Sequence, residues 1–191
     1  MMRKRDKVKK FKVIITFLEN IFRFLPKKIC YLILSYCRNL QGNIGFLLRY
    51  LALTRLTKKC GSNIAIFPGV YLHRLENLII GSNVSIHSMC YIDAIGGITI
   101  GDDVSIAHNS SILSEEHNYN DLTKNIKDQG CSYKFTEIEN NVWIGAGVRI
   151  LAGSTIKTGN VIAAGSVVKN TIESNSLYAG IPAKLIKKRG L

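Results

Sequence analysis

Between residues 80 and 168 the chain places an aliphatic side chain at every sixth position, in three runs. Ile80, Ile86 and Ile92 form the first, and Ile100, Ile106 and Ile112 the second. Ile138, Ile144, Ile150, Ile156, Ile162 and Val168 form the third, six in unbroken register. Four residues after the aliphatic one the position is small or β-branched, as at Val84, Cys90, Val104, Ser110, Val142, Val148, Ser154 and Ser166, with Asn160 the departure. A period of six matches neither the helix nor the simple strand, and a fixed period signals a repeat architecture. Each hexad supplies one short strand and one turn, so three hexads close a triangular coil of about 18 residues. Stacked coils then pair as parallel strands about 4.8 Å apart. The aliphatic side chain points into the prism above its equivalent in the coil below, and the small residue fits where the wall bends inward. Gly, Asn and Asp at the corners, as in Gly81-Ser82-Asn83 and Gly101-Asp102-Asp103, tolerate the dihedrals of a tight turn. The pattern predicts a mainly β fold, a left-handed parallel β-helix.

Two interruptions break the period. Gly96-Gly97 adds two residues between Ile92 and Ile100, a bulge or a tight kink. The larger break, residues 114–136, is polar and includes Glu115, Glu116, His117, Asn118 and Asp121. It reads as a loop thrown out of the prism, and long excursions from a rigid scaffold are where binding and catalysis concentrate.

Ahead of the hexads the period is helical. Phe11, Ile14, Ile15, Leu18, Ile21, Phe22 and Leu25 make one apolar stripe that Pro26 ends. Further apolar segments run from Ile29 to Leu40 and from Ile44 to Leu56, the last with Arg49 and Arg55 inside it. Charge separates this region from the rest. Residues 1–59 hold 15 Lys and Arg against 2 Asp and Glu, and residues 60–191 hold 11 against 11, so the net charge of +13 belongs to the first segment. The organisation expected is a basic amphipathic helical segment at 1–59, a β-helix at 60–170 carrying the loop at 114–136, and a tail at 171–191. Basic residues among Phe, Leu and Ile suit a helix lying in an anionic membrane interface. The other reading is a helical cap on the β-helix with its charges solvated. So many apolar side chains need burial that nucleic acid is not the expected partner, and no recognition motif is present. No uncharged apolar stretch reaches the roughly 18 residues of a spanning helix, and Val13 to Leu18 is too short for a secretory signal core. Cys30, Cys37, Cys60, Cys90 and Cys131 are odd in number and form no C-x-x-C pair, which fits free thiols in a reducing compartment.

Three stretches carry a family resemblance. They are Ile100-Gly101-Asp102-Asp103-Val104-Ser105-Ile106-Ala107 with His117 beyond it, Asn141-Val142-Trp143-Ile144-Gly145-Ala146-Gly147, and Val161-Ile162-Ala163-Ala164-Gly165-Ser166 closed by Gly180-Ile181-Pro182-Ala183-Lys184. Together they resemble the hexapeptide-repeat O-acetyltransferases, which include the galactoside, maltose and capsular polysaccharide enzymes. The basic front segment looks more like the capsular branch. The resemblance covers about residues 60–187.

The resemblance implies transfer of an acetyl group from acetyl-CoA to a carbohydrate hydroxyl, with no metal, in a homotrimer whose sites lie in the clefts between neighbouring prisms. A sugar hydroxyl is a poor nucleophile, and a neutral imidazole can take its proton as it attacks the thioester. His117 matches the family's catalytic histidine. Trp143 matches a tryptophan beside the thioester arm, where its indole N–H packs the pantetheine, donates to the oxyanion, or does both. Asp93 matches an acidic position of the acceptor pocket, binding sugar hydroxyls or orienting His117. Galactoside-type enzymes carry an asparagine shortly before this aspartate, where the present chain has Ile86-His87-Ser88-Met89 and Ser88 is a weak substitute. Ala146 and Ala164 match the wall along the pantetheine. Lys169 and Asn170 follow at the last coil, and Lys184 and Lys187 match basic residues near the nucleotide phosphates. The implied location is cytoplasmic, peripheral on the inner face of the membrane.

Two other classes share the β-helix. A zinc lyase of the γ-carbonic-anhydrase type needs three histidines converging between subunits. The chain has four, His73, His87, His108 and His117, whose spacing does not match that pattern. A scaffold without catalysis is the other, and the intact His117 and Trp143 speak against it.

Overall fold

The three runs of hexads stack one upon another. In the computed structural model, which describes residues 12–190, Ile80 pairs with Ile100, Ile100 with Ile138, and Ile138 with Ile156. Ile86, Ile106, Ile144 and Ile162 form a second column, and Ile92, Ile112, Ile150 and Val168 a third. All twelve side chains are at most 1% exposed. Each such burial is worth about 1.5–3 kcal/mol, so the columns supply the main stabilisation of the prism.

The columns belong to three parallel faces. Face one runs through Lys59–Cys60, Leu78–Ile80, Ile98–Ile100, Thr136–Ile138, Thr155–Ile156 and Thr171–Ile172. Face two runs through Ala65–Ile66, Ser85–Ile86, Ser105–Ile106, Trp143–Ile144, Val161–Ile162 and Ser176–Ala179. Face three runs through Tyr71–His73, Tyr91–Asp93, Ser111–Leu113, Arg149–Ile150 and Val167–Val168. The corner from face one to face two is left-handed in every coil, at Asn63, Asn83, Asp103, Asn141, Gly159 and Asn175. These are residue types that accept a positive φ. The next corner turns at Gly69, Met89, Asn109, Gly147 and Gly165, also with positive φ.

The β-helix begins one coil before the first run of hexads read from the sequence. Cys60, Ile66 and Leu72 pair with Ile80, Ile86 and Ile92. Ile64 and Val70 fill the inward bends with 4% and 5% exposure. A cysteine at the head of this coil and an eight-residue step from Leu72 to Ile80 hide the register. The step is taken up by a short 3₁₀ turn at Leu75–Asn77, where the next coil has Gly96-Gly97. At the other end, residue 170 falls inside the last coil: Thr171–Ile172 and Ser176–Ala179 continue faces one and two, and Lys184–Lys188 folds back antiparallel on the latter.

Three helices precede the prism: α1 (Lys12–Phe24), α2 (Lys27–Tyr36) and α3 (Gly42–Leu56). Leu51, Leu53 and Leu56 of α3 are buried over the first coil and close the open end of the core. Arg49, expected among interfacial basic residues, is turned inward and is 1% exposed. Its Nε donates to Ile66 O at 2.9 Å, and its Nη1 donates to Cys37 O at 2.7 Å and Leu40 O at 2.8 Å. Burial lowers its pKa. Arg55 Nε likewise donates inward, to Leu25 O at 3.1 Å. The third apolar segment is therefore a cap pinned by arginine.

Candidate active site

Face three continues past Leu113 into an antiparallel hairpin, Glu115–His117 against Cys131–Tyr133. The polar excursion of the sequence is thus an ordered arm. Asn118 and Gln129 brace it: Asn118 Nδ2 donates to Gln129 O at 3.1 Å, and Gln129 Nε2 donates to Asp121 O at 2.8 Å and Lys124 O at 3.0 Å. Ser132 Oγ donates to Asn118 Oδ1 at 2.5 Å, and Lys134 pairs with Glu116. His117 is exposed on this arm, directly opposite Cys131, whose Sγ lies 3.5 Å from Nδ1. Sequence reasoning missed Cys131, because only the hairpin register brings it to His117.

Asp93 ends its strand on face three in register with Leu113, at the base of the His117 arm. Its carbonyl accepts from Ser114 Oγ at 2.8 Å, which fixes the start of the excursion to the preceding coil. Its carboxylate accepts from Ile95 N–H at 3.3 Å. Burial, then the charges of Asp93 and Glu115, raise the pKa of the neighbouring Tyr91 phenol.

The other expected residues gather elsewhere. Trp143 stands in the outward column of face two between Ser105 and Val161, 55% exposed. Ser88, His108, Ala146 and Ala164 each follow the inward aliphatic residue of face two by two positions, so they form one column at the corner between faces two and three. Gly165 N–H donates to Ala146 O at 2.8 Å along it. A cleft of about 670 Å³ lies on face two, lined by Ser85, His87, Ser105, Trp143, Val161 and Arg189 among others. That size is within the range of small-molecule sites. His87 stacks on Phe67 with ring centroids 4.3 Å apart. Burial, and then the charge of His108, lower its pKa.

Lys169 and Asn170 are exposed at the corner after the last strand of face three. Ala183 N–H donates to Val167 O at 2.8 Å, which lays the returning C-terminal strand beside the last coil. Lys184 and Lys187 sit on that strand, exposed, opposite Ala179 and Leu177. The candidate residues therefore fall into two groups on one chain. Asp93 and His117 occupy the edge of face three, while Trp143, Ser88, Ala146 and Ala164 form a wall on face two and its corner, with cations at its far end. Among the described residues no three His, Cys, Asp or Glu side chains form a group that could hold a metal ion.

Comparison with known proteins follows from the fold and these two groups of residues. The family model "Bacterial transferase hexapeptide (six repeats)" matches residues 135–170. Galactoside O-acetyltransferase of Escherichia coli K12 is 38% identical over 130 residues, which are 67% of this chain and 62% of that protein. Two other curated relatives, from Mycobacterium tuberculosis and Schizosaccharomyces pombe, are matched over 25% of their own length. Among solved structures, a maltose O-acetyltransferase from Clostridium difficile 630 superposes with a TM-score of 0.76 at 30% identity, covering 86% of this chain and 87% of that one. A galactoside acetyltransferase in complex with coenzyme A gives a TM-score of 0.75 at 31% identity, covering 85% and 80%.

Proposed function

Since the chain belongs to the hexapeptide-repeat acetyltransferases, we propose that it moves the acetyl group of acetyl-CoA to a hydroxyl of a sugar, a polysaccharide or a lipid-linked glycan precursor, as in capsule biosynthesis. The observation that carries this reading is the setting of His117, an exposed imidazole held on a braced arm with Nδ1 against Cys131 Sγ. We assign the proton to Nδ1, donating to sulfur, which leaves the Nε2 lone pair for the substrate. The acceptor hydroxyl donates to Nε2. As its oxygen bonds to the thioester carbonyl carbon, the proton passes to Nε2 and the carbonyl oxygen becomes an oxyanion. Collapse breaks the carbon–sulfur bond, and the departing CoA thiolate takes the proton back from His117.

The indole N–H of Trp143 is a donor for that oxyanion or packs the pantetheine beside it. Because Trp143 and His117 stand on different faces of one prism, the reading requires a second copy, as in a homotrimer with sites between neighbours. One copy supplies His117 with Asp93 for the acceptor, and its neighbour supplies the Ala146 and Ala164 wall for the pantetheine. Ser88, on that same corner column, belongs to the acceptor end. Lys169, Asn170, Lys184 and Lys187 meet the nucleotide phosphates. Attachment to the inner face of an anionic membrane completes the reading, since it keeps the enzyme beside lipid-linked intermediates.

The test is His117→Ala. Turnover measured by CoA thiol release should fall by about 10²–10⁴, the usual contribution of a general base, with trimer and CoA affinity unchanged. A variant with wild-type kcat overturns the assignment.

A further inference from the structure

Helices α1 and α2 carry an apolar arc wider than the strip that the protein covers. Ile15, Leu18, Phe22 and Leu25 of α1, with Cys30, Ile33 and Leu34 of α2, pack toward the core. Along the flank of that strip on α1, Ile14, Phe17, Ile21 and Phe24 recur at the spacing of one helical face, with Phe17 64% and Phe24 89% exposed. On α2, Ile29, Leu32 and Tyr36 do the same, with Tyr36 85% exposed. Contiguous exposed apolar surface of this kind marks a site of association.

The charge around these stripes selects the partner. Arg23, Lys27 and Lys28 are exposed where α1 meets α2. The one acidic residue between 12 and 59, Glu19, is turned onto the cap, accepting from Tyr50 Oη at 2.6 Å, and Glu76 is the carboxylate that reaches α2 from the prism, accepting from Tyr31 Oη at 3.1 Å, so the cations outnumber the acids on the outer side. Residues 1–11 add six Lys and Arg against one Asp in the sequence. A second copy presenting the same face would set cation against cation. No helix among the described residues is long and apolar enough to cross a bilayer. An apolar face bordered by cations on short helices is the composition of an interfacial anchor, with aromatic and aliphatic side chains in the acyl boundary and basic groups at anionic headgroups.

Resting on the membrane attachment read above, we propose that its docking surface for an anionic lipid bilayer is the exposed apolar flank of the α1–α2 pair, while α3 closes the β-helix and takes no part in lipid contact. This divides the basic segment between two roles and assigns lipid contact to side chains that fold stability does not need.

Sedimentation of the full chain with phosphatidylcholine vesicles containing a quarter phosphatidylglycerol tests it without any acetyl acceptor, so its outcome is separable from that of the catalytic reading. Wild type should pellet at low salt, should be released by high salt, and should stay in solution with pure phosphatidylcholine. Phe17→Ser with Phe24→Ser should weaken vesicle binding by at least about tenfold, with unchanged circular dichroism and gel-filtration volume. The proposal is overturned if wild type stays in solution with the anionic vesicles, or if the double variant pellets like wild type. A smaller assembly for the double variant also overturns it, because the face would then cover another copy of the chain.

Discussion

His117 and Cys131 face each other across the hairpin, with Nδ1 3.5 Å from Sγ. A thiol is both a weak donor and a weak acceptor, so the contact contributes modest energy; in the proposed assignment Nδ1–H donates to sulfur, and the contact then sets which ring nitrogen keeps the proton. Cys131→Val removes the acceptor at similar volume. We expect kcat to fall about fivefold, equivalent to the roughly 1 kcal/mol of one hydrogen bond, with CoA affinity unchanged. Cys131→Ser should stay within about threefold of wild type, because a hydroxyl can accept the same bond. Nitrogen NMR of His117 should show the Nδ1–H tautomer in wild type and a mixture in the valine variant. Identical kinetics and tautomer in Cys131→Val would reduce the contact to hairpin packing.

The separation of His117 from Trp143 leads to a complementation experiment. Ala164→Trp should block the small-residue wall at the corner, and His117→Ala removes the base. Each variant alone should be inactive. After subunit exchange, random mixing gives about a quarter of interfaces an intact base facing an intact wall, so roughly a quarter of wild-type turnover should return. Demonstrably mixed trimers with no recovery would contradict a site shared between neighbours.

Ile150 lies inside the third column between Ile112 and Val168 and is fully buried. An unpaired carboxylate there costs several kcal/mol, comparable to the stability of a whole domain. Ile150→Asp should give insoluble or unfolded protein. Lys157→Gln is the control. Its Nζ pairs with Glu173 at 2.8 Å on the surface, and exposed pairs of this type contribute about 0–1 kcal/mol. A thermal scan showing wild-type melting for Ile150→Asp would remove the inward assignment of that column.

Most of the prism was legible because burial dictates one residue type at each inward position. The hexads from Ile80 to Val168 and the Gly96-Gly97 step read directly. The first coil was expected within the β-helix from residue 60, but its register was not legible, since Cys60 and the turn after Leu72 disguise the same period. His117 was legible as the histidine of the polar break. Cys131 was not, because a cross-strand partner depends on a hairpin register that no local pattern fixes. The separation of Trp143 from His117 was written in the hexads, where Trp143 precedes Ile144 of the second column and His117 follows Ile112 of the third. The helices were legible only in part. In α1 the residues Ile14 and Ile21 face outward, whereas Ile15, Leu18, Phe22 and Leu25 face the core. Periodicity finds an apolar helix, but it does not tell which part of a wide apolar arc meets protein.

The central claim is acetyl transfer from acetyl-CoA to a carbohydrate hydroxyl at His117. Incubation of the purified protein with acetyl-CoA and a panel of mono- and oligosaccharides, read by thiol release and product mass, tests it most directly. The account predicts at least one acceptor that gains a single acetyl group as an alkali-labile ester, in step with thiol release and dependent on His117. No acetylated sugar from any hydroxyl-bearing acceptor, or product formed equally well by His117→Ala, would contradict it.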